Sequence, residues 1–263
     1  MISTVAAVLH NRRTVIELAR RDFRARYAGS VLGLTWSVLE PMVQFGLYFV
    51  VFSSFLGMRF VTPSGVNMTG FYLVGGLIPY LALQEMLVRA AGLVRGSAQL
   101  IRHVVIPVEV LLAGALLAVL VRYTIAFGLA LGVAVVMGAL AWTQLPWLLV
   151  AVVLLVVGAW GLSLLLVPLG AFLPDVVQVV GTAMMALFFL TPVVYPETQL
   201  PASVARWLVV NPLVGLLDAF RTTLTGQSVS LVRVAVTLAA VIVFALVGSL
   251  VFSRRAAALR DLA

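Results

Sequence analysis

The chain has 263 residues, 63% of them hydrophobic and only 10% charged, where an average globular domain has about 25% charged residues. A mean hydropathy of +1.18 sustained over 28.1 kDa leaves too few polar residues to cover a solvated surface, which excludes a soluble globule and points to an integral membrane protein. The charge is carried by 17 basic residues, all arginine, against nine acids; without a lysine the chain has no P-loop of its own. With no cysteine, and only His10 and His103 as histidines, it lacks the usual ligands of zinc, haem and disulfide chemistry.

The first thirty residues are expected not to act as a cleavable signal, since no continuous apolar stretch follows their early charges. Within 15–27, Val15, Ala19, Phe23 and Tyr27 recur every fourth residue between arginines, which predicts an amphipathic helix at the cytoplasmic interface. Such a helix is either an anchor to anionic lipid or a docking surface for a partner, and both readings stay open.

Stretches free of acidic and basic side chains then mark the membrane, at 41–58, 60–84, 123–174, 176–196 and 234–253. As one helix the run 123–174 would measure about 78 Å, more than twice a ~30 Å hydrocarbon core. It must fold back, and the polar turn at 141–146, ending in Pro146, is where a new helix starts. Six spans follow, at 31–57, 70–92, 107–139, 146–169, 176–195 and 230–252. An even number puts both termini on one side. Twelve arginines then lie on the side of the termini and four, Arg59, Arg206, Arg221 and Arg233, on the other, with Arg122 left inside a span, so the positive-inside rule makes the termini cytoplasmic.

In the first span, Phe45, Tyr48, Phe52 and Phe55 are spaced three, four and three and share one helix face. That stripe serves either helix packing and lipid contact or a smooth stacking surface for sugar rings in a translocation path. Glu40, Glu85, Glu109, Arg122 and Asp175 lie in or beside spans, where an ionisable group needs a partner or water. Glu85 and Arg89, at i and i+4, are expected to pair, whereas Arg122 has as its partner either a carboxylate across helices or a passing phosphate. The basic segment 93–103, closed off by Pro107, is a loop that retains topology or a knob inserted into a cytoplasmic partner.

After the fifth span, prolines divide the chain into short pieces at 201–210 and 212–225, each too short to cross a bilayer. They predict a pair of re-entrant or interfacial helices on the outer side. No set of residues assembles a catalytic or metal site. The fragment Gly161-Leu162-Ser163 resembles part of an intramembrane serine protease motif, but no histidine follows in a later span, so it reads as small-residue helix packing.

The string RDFRARYAGSVLGLTWSVLEP at 21–41, with FFLTPVVYPETQLP at 188–201 and NPLVGLLDAFRTTLTG at 211–226, resembles the permease subunits of type-2 ABC transporters, in the polysaccharide exporter branch. The resemblance implies a homodimer of permeases bound to two copies of a cytoplasmic ABC ATPase. That partner binds ATP and Mg, and the complex exports a lipid-linked polysaccharide of the O-antigen, capsule or teichoic acid type. It also implies that the interface helix and the loop after the second span engage the ATPase, here through Arg20, Arg24, Arg95, Gln99, Arg102 and His103. The first and fifth spans would line the substrate path, with Trp36, Phe45, Tyr48, Phe52, Phe55, Phe188, Phe189 and Tyr195 as its aromatic residues. Arg24, Arg26 and Arg122 are the arginines expected to meet the lipid head group. One departure is that the family often has Arg-Asp after the fourth span, whereas this chain reads Pro174-Asp175.

The expected fold is therefore one all-α integral membrane domain over 1–263. It comprises an amphipathic interface helix in 1–30, spans one to five in 31–195, a re-entrant outer hairpin at 196–229, a sixth span at 230–252 and a cytoplasmic tail at 253–263 in the bacterial cytoplasmic membrane. The expected function is transport without an enzymatic site of its own, with membrane lipid as a partner and no nucleic acid. The competing readings are a type-2 exporter of a small amphiphile such as a drug or haem, a membrane enzyme of lipid-linked sugar metabolism, and a passive channel or scaffold. The enzyme would need an acidic cluster that nine scattered acids do not form.

Overall fold

The computed structural model of the chain describes residues 2–60, 68–97, 106–197 and 200–261, and no strand occurs among them. Two helices, α1 (Ile2–His10) and α2 (Arg12–Tyr27), precede α3 (Trp36–Phe49), which a 3-10 turn leads into and a π-helical turn, Val50–Phe55, extends. Then come α4 (Thr69–Gly96), α5 (Val108–Val136), α6 (Leu145–Phe172), α7 (Val176–Leu190), α8 (Pro212–Thr225) and α9 (Leu231–Asp261), with a single helical turn, Ala202–Ala205, ahead of α8. Five stretches among the described residues are long and apolar enough to cross a membrane, those of α3, α4, α5, α6 and α9. The protein is an all-α integral membrane protein.

Helix boundaries follow local chemistry. The chain reverses through a 3-10 turn, Trp142–Gln144, and α6 begins with Pro146 in its first turn, where the missing N–H costs nothing. Asn211 caps α8 by accepting the N–H of Leu213 at 3.0 Å, which satisfies one of the donors left over at a helix start. Helix α7 stops at Leu190 rather than continuing to 195, because Thr191 precedes a proline and takes an extended backbone with ψ 138°. Its 15 residues reach only about 22 Å.

Helix α6 is the hub of the bundle, packed most extensively against α9 and next against α4, which in turn packs on α5. The core follows these helices through Leu77, Leu112, Leu164 and Val167, and α8 adds Leu217 and Leu224. Where α6 crosses α9, a Cβ on Gly161 would lie 2.6 Å from the backbone N of Ala245, and one on Gly248 would run into the carbonyl oxygen of Gly161. The Gly161-Leu162-Ser163 fragment therefore packs helices, as expected, with Ser163 fully buried. Gly248→Leu is expected to force the two backbones apart and cost about 1–3 kcal/mol, read as a lower thermal midpoint by fluorescence-detected gel filtration. An unchanged midpoint would mean that the crossing is looser than these distances require.

The expected amphipathic face of α2 is realised, with Val15, Ala19 and Tyr27 buried. It packs along α5, where a Cβ on Gly114 would lie 2.8 Å from Cβ of Leu18. By contrast α3 buries only Ser37 and Pro41, and α7 only Met184.

Candidate functional site

Contacts divide the bundle into two ends. Away from the α8 end, about midway along α4 and α5, an ionic cluster ties four helices together. Glu85 on α4 accepts from Arg89 at 3.0 Å, from Arg26 of α2 at 3.5 Å and from the Tyr123 hydroxyl of α5 at 3.3 Å, and it pairs with Arg122. Asp22 pairs with Arg89, and Glu40 on α3 accepts from Arg26 at 3.3 Å. Three carboxylates thus meet three guanidiniums, and the cluster is neutral. The Glu85–Arg89 pair is present as expected. Of the two partners open to Arg122, the structure provides the carboxylate across helices, with its guanidinium 4.6 Å from the centre of the Tyr123 ring. Arg122 is only 7% exposed, and its pairing keeps a charge tolerable at that depth.

The residues expected to meet an ATPase separate into three groups. Arg20 and Arg24 stand exposed on α2, with no ion pair among the described residues. Arg95 turns back to cap α6, donating to the carbonyls of Gly170 at 3.1 Å and Ala171 at 3.5 Å, which are oxygens a helix end leaves without a partner. Gln99, Arg102 and His103 lie outside the described residues. Of the arginines expected at a lipid head group, Arg24 has no ion pair among the described residues, while Arg26 and Arg122 are held by Glu40 and Glu85.

The aromatic residues expected along a path fall on α3 and its π-helical extension, on α7 and, for Tyr195, just past the end of α7. Phe45, Tyr48 and Phe52 pack partly against the core, and Tyr48 stacks with Phe52 at 6.2 Å between ring centres. Phe45 and Tyr48 face an apolar crevice of about 520 Å³ between α3, α4 and α5. Phe55 leaves this face and is 78% exposed, because the π turn at Val50–Phe55 inserts a wider turn and shifts the register of the stripe. Trp36 is exposed at the other end of α3. On α7, Phe188 packs edge-on against Tyr80 at 5.4 Å, Phe189 faces outward, and the Tyr195 hydroxyl donates to the carbonyl of Phe189 at 2.7 Å.

The far end of the bundle holds an arrangement that sequence reasoning missed. Arg221 on α8, only 2% exposed, donates to the carbonyls of Pro192 at 2.6 Å, Val193 at 2.7 Å and Tyr72 at 3.3 Å. Its guanidinium lies 3.8 Å from the centre of the Tyr72 ring. Arg233 at the start of α9 forms a two-pronged pair with Glu197 at 2.6 Å and donates to Asp218 at 2.9 Å. Burial pushes the Asp218 carboxyl above its ordinary pKa, and Arg221 and Arg233 pull it part of the way back. In the sequence Arg221 and Arg233 register only in the count of charges per side; the signal available is an arginine three residues after Asp218 inside a 14-residue helix whose other side chains are uncharged, which needs buried partners.

A family model for the ABC-2 type transporter matches residues 13–225. The chain is 27% identical to the O-antigen export system permease protein RfbA of Myxococcus xanthus over 84% of both chains. It is 23% identical to the RfbA protein of Klebsiella pneumoniae over 91% of both, and 25% identical to the polysialic acid transport protein KpsM of Escherichia coli over 79% of this chain and 80% of that one. With the match running from α2 through α8, across both the ionic cluster and the arginine clamp, this chain belongs to the ABC-2 type transporter family.

Proposed function

We propose that this chain is the membrane permease of an ATP-driven exporter that moves lipid-linked polysaccharide across the bacterial cytoplasmic membrane. The observation that carries the reading is the likeness, over about four-fifths of the chain or more, to proteins named for O-antigen export and polysialic acid transport. In this reading α7 is a short sixth span, both termini are cytoplasmic, and 196–229 forms the re-entrant hairpin of the outer face within one domain over 1–263. Two permeases pair with two ATPase subunits, which bind ATP and Mg, and this chain holds no cofactor.

The ATPase docks on the exposed arginines of α2, Arg20 and Arg24, and on the segment that follows Arg95. Helix α2 is joined to α4 and α5 through Asp22, Arg26, Glu85, Arg89 and Arg122, so a push on α2 reaches the spans as a rigid movement. Helices α3 and α7 leave most of their apolar surface uncovered, which suits a second copy of the permease and a path between the copies. Arg24, Arg26 and Arg122 are the arginines that meet the lipid head group, and the aromatic rings of α3 and α7 meet the sugars.

The test is to reconstitute the chain in lipid with the ATPase encoded beside it and follow ATP hydrolysis and glycan transfer after adding lipid-linked glycan. A stable complex whose turnover responds to glycan supports the proposal, and failure of any ATPase to bind removes it. Within that assay Tyr48→Ala and Phe52→Ala should each lower export by about fivefold, as expected from losing a ring contact of about 1 kcal/mol, with the ATPase still bound. Unaltered export would place the path elsewhere.

A further inference from the structure

We propose that the far end of the bundle carries a pocket for a single sugar ring of a glycan, with Phe60 as its stacking face and Arg59, Gln227, Ser228 and Ser230 as its hydrogen-bonding rim. The inference rests on the export reading for the source of the sugar. The pocket itself rests on geometry. It encloses about 380 Å³ where the end of the α3 segment, the start of α4, α8 and the linker into α9 converge.

Its floor is already satisfied. Arg221 donates through Nε and Nη2 to backbone carbonyls and turns Nη1 toward Asp218 at 3.9 Å, and Arg233 is engaged by Glu197 and Asp218. Tyr72 lies between two partners: Phe60 stacks on it with ring centres 3.4 Å apart and planes 13° apart, and the Arg221 guanidinium lies 3.8 Å from its centre. These two cannot occupy the same face, so Phe60 turns its other face away from Tyr72. Phe60 is also fixed by its backbone, which donates to Thr69 Oγ1 at 2.9 Å and accepts from the N–H of Met68 at 2.7 Å.

A ring held this rigidly, facing a polar pocket, suits a pyranose, whose C–H groups meet the negative face of an aromatic ring while its hydroxyls seek planar polar partners. Arg59 has no carboxylate partner among the described residues. Including it, three guanidiniums face two carboxylates, an excess of one positive charge. That excess compensates one negative charge and not the two of a phosphate dianion, so a neutral sugar or one bearing a single carboxylate fits. The polar lining disfavours an acyl chain.

The test uses the full chain in nanodiscs with three probes: a mannose tetrasaccharide, a sialic acid trimer and inorganic phosphate. Saturation-transfer NMR should detect at least one of the two saccharides. Phe60→Ala and Arg59→Gln should each weaken that binding at least about fivefold, the size expected from one ring contact or one charged hydrogen bond, and Phe60→Tyr should retain it. Arg59 is exposed, so Arg59→Gln decides the matter even where Phe60→Ala fails to fold. Binding of neither saccharide to the unaltered chain, binding of phosphate alone, or equal binding by Arg59→Gln and the unaltered chain overturns the pocket. Glycan transfer by the same preparation with its ATPase separates the two readings. Transfer without saccharide binding sinks only the pocket, and saccharide binding without transfer sinks only the exporter.

Discussion

Replacing Glu85 by alanine is expected to release α2 from the bundle and destabilise the protein by about 3–5 kcal/mol, the usual cost of stranding a buried charge. The stranded charge is Arg122, 7% exposed. Arg89, Arg26 and the Tyr123 hydroxyl lose an acceptor in the same step, while Asp22–Arg89 and Arg26–Glu40 survive as more exposed pairs worth little each. The measurement is the thermal midpoint in detergent, with protease sensitivity of the segment between α2 and α3 as the local readout. Glu85→Ala/Arg122→Met should recover much of the loss, because an apolar pair can replace a buried ion pair at small cost. If the double variant is no better than Glu85→Ala alone, the damage does not come from the unpaired guanidinium and the cluster has been misread. On the export reading, Glu85→Ala should also uncouple ATP hydrolysis from glycan transfer while the exposed Arg20 and Arg24 still bind the ATPase.

This cluster also shows how far sequence reasoning reaches. The i, i+4 spacing of Glu85 and Arg89 was legible because helix geometry alone brings them together. Arg26 and Arg122 come to the same carboxylate from 59 and 37 positions away, and no local period encodes that. The buried face of α2 was legible for the opposite reason, since Val15, Ala19, Phe23 and Tyr27 repeat with the helix. The turn at Trp142–Gln144 was legible from length: no helix of 52 residues fits one bilayer.

Two features were written in the sequence but read too coarsely. Thr191-Pro192 ends α7 at Leu190, and a stricter use of the bias before proline would have stopped the helix there. The aromatic stripe assumed 3.6 residues per turn through 55, so the π turn at Val50–Phe55 displaced Phe55 without warning; nothing in VVFSSF marks a π turn by composition. The clamp at Arg221 was hidden more deeply. Counting charges per side treats an arginine as a surface label, and that count cannot separate exposed Arg59 from Arg221, which the fold buries.

The second large effect is expected at that clamp. Arg221→Ala leaves the carbonyls of Pro192, Val193 and Tyr72 without this donor and removes a cation beside Asp218. Tyr72 keeps its helical donor within α4, so the acceptors left unsatisfied are the carbonyls of Pro192 and Val193, at about 1–3 kcal/mol each, for a total of about 2–6 kcal/mol. The chain after α7 should then become sensitive to protease between 191 and 230. Arg221→Lys should restore little, because an ammonium lacks the planar fork that lies over Tyr72 while reaching three oxygens. Gly76→Ala approaches the same contact from the other side, since its Cβ would lie 2.6 Å from the Val193 carbonyl oxygen and run into the guanidinium. It should give the same protease pattern with the arginine still present. Asp218 adds a dependence on pH. Its pKa is raised in the folded chain by burial, with Arg221 among the groups that lower it, so losing Arg221 raises it further. A group whose folded pKa lies above its unfolded value contributes stability that is present at low pH and lost as pH rises through the folded value. The deficit of Arg221→Ala should therefore narrow on acidification, and a deficit that stays constant or widens would show that Asp218 does not feel this arginine.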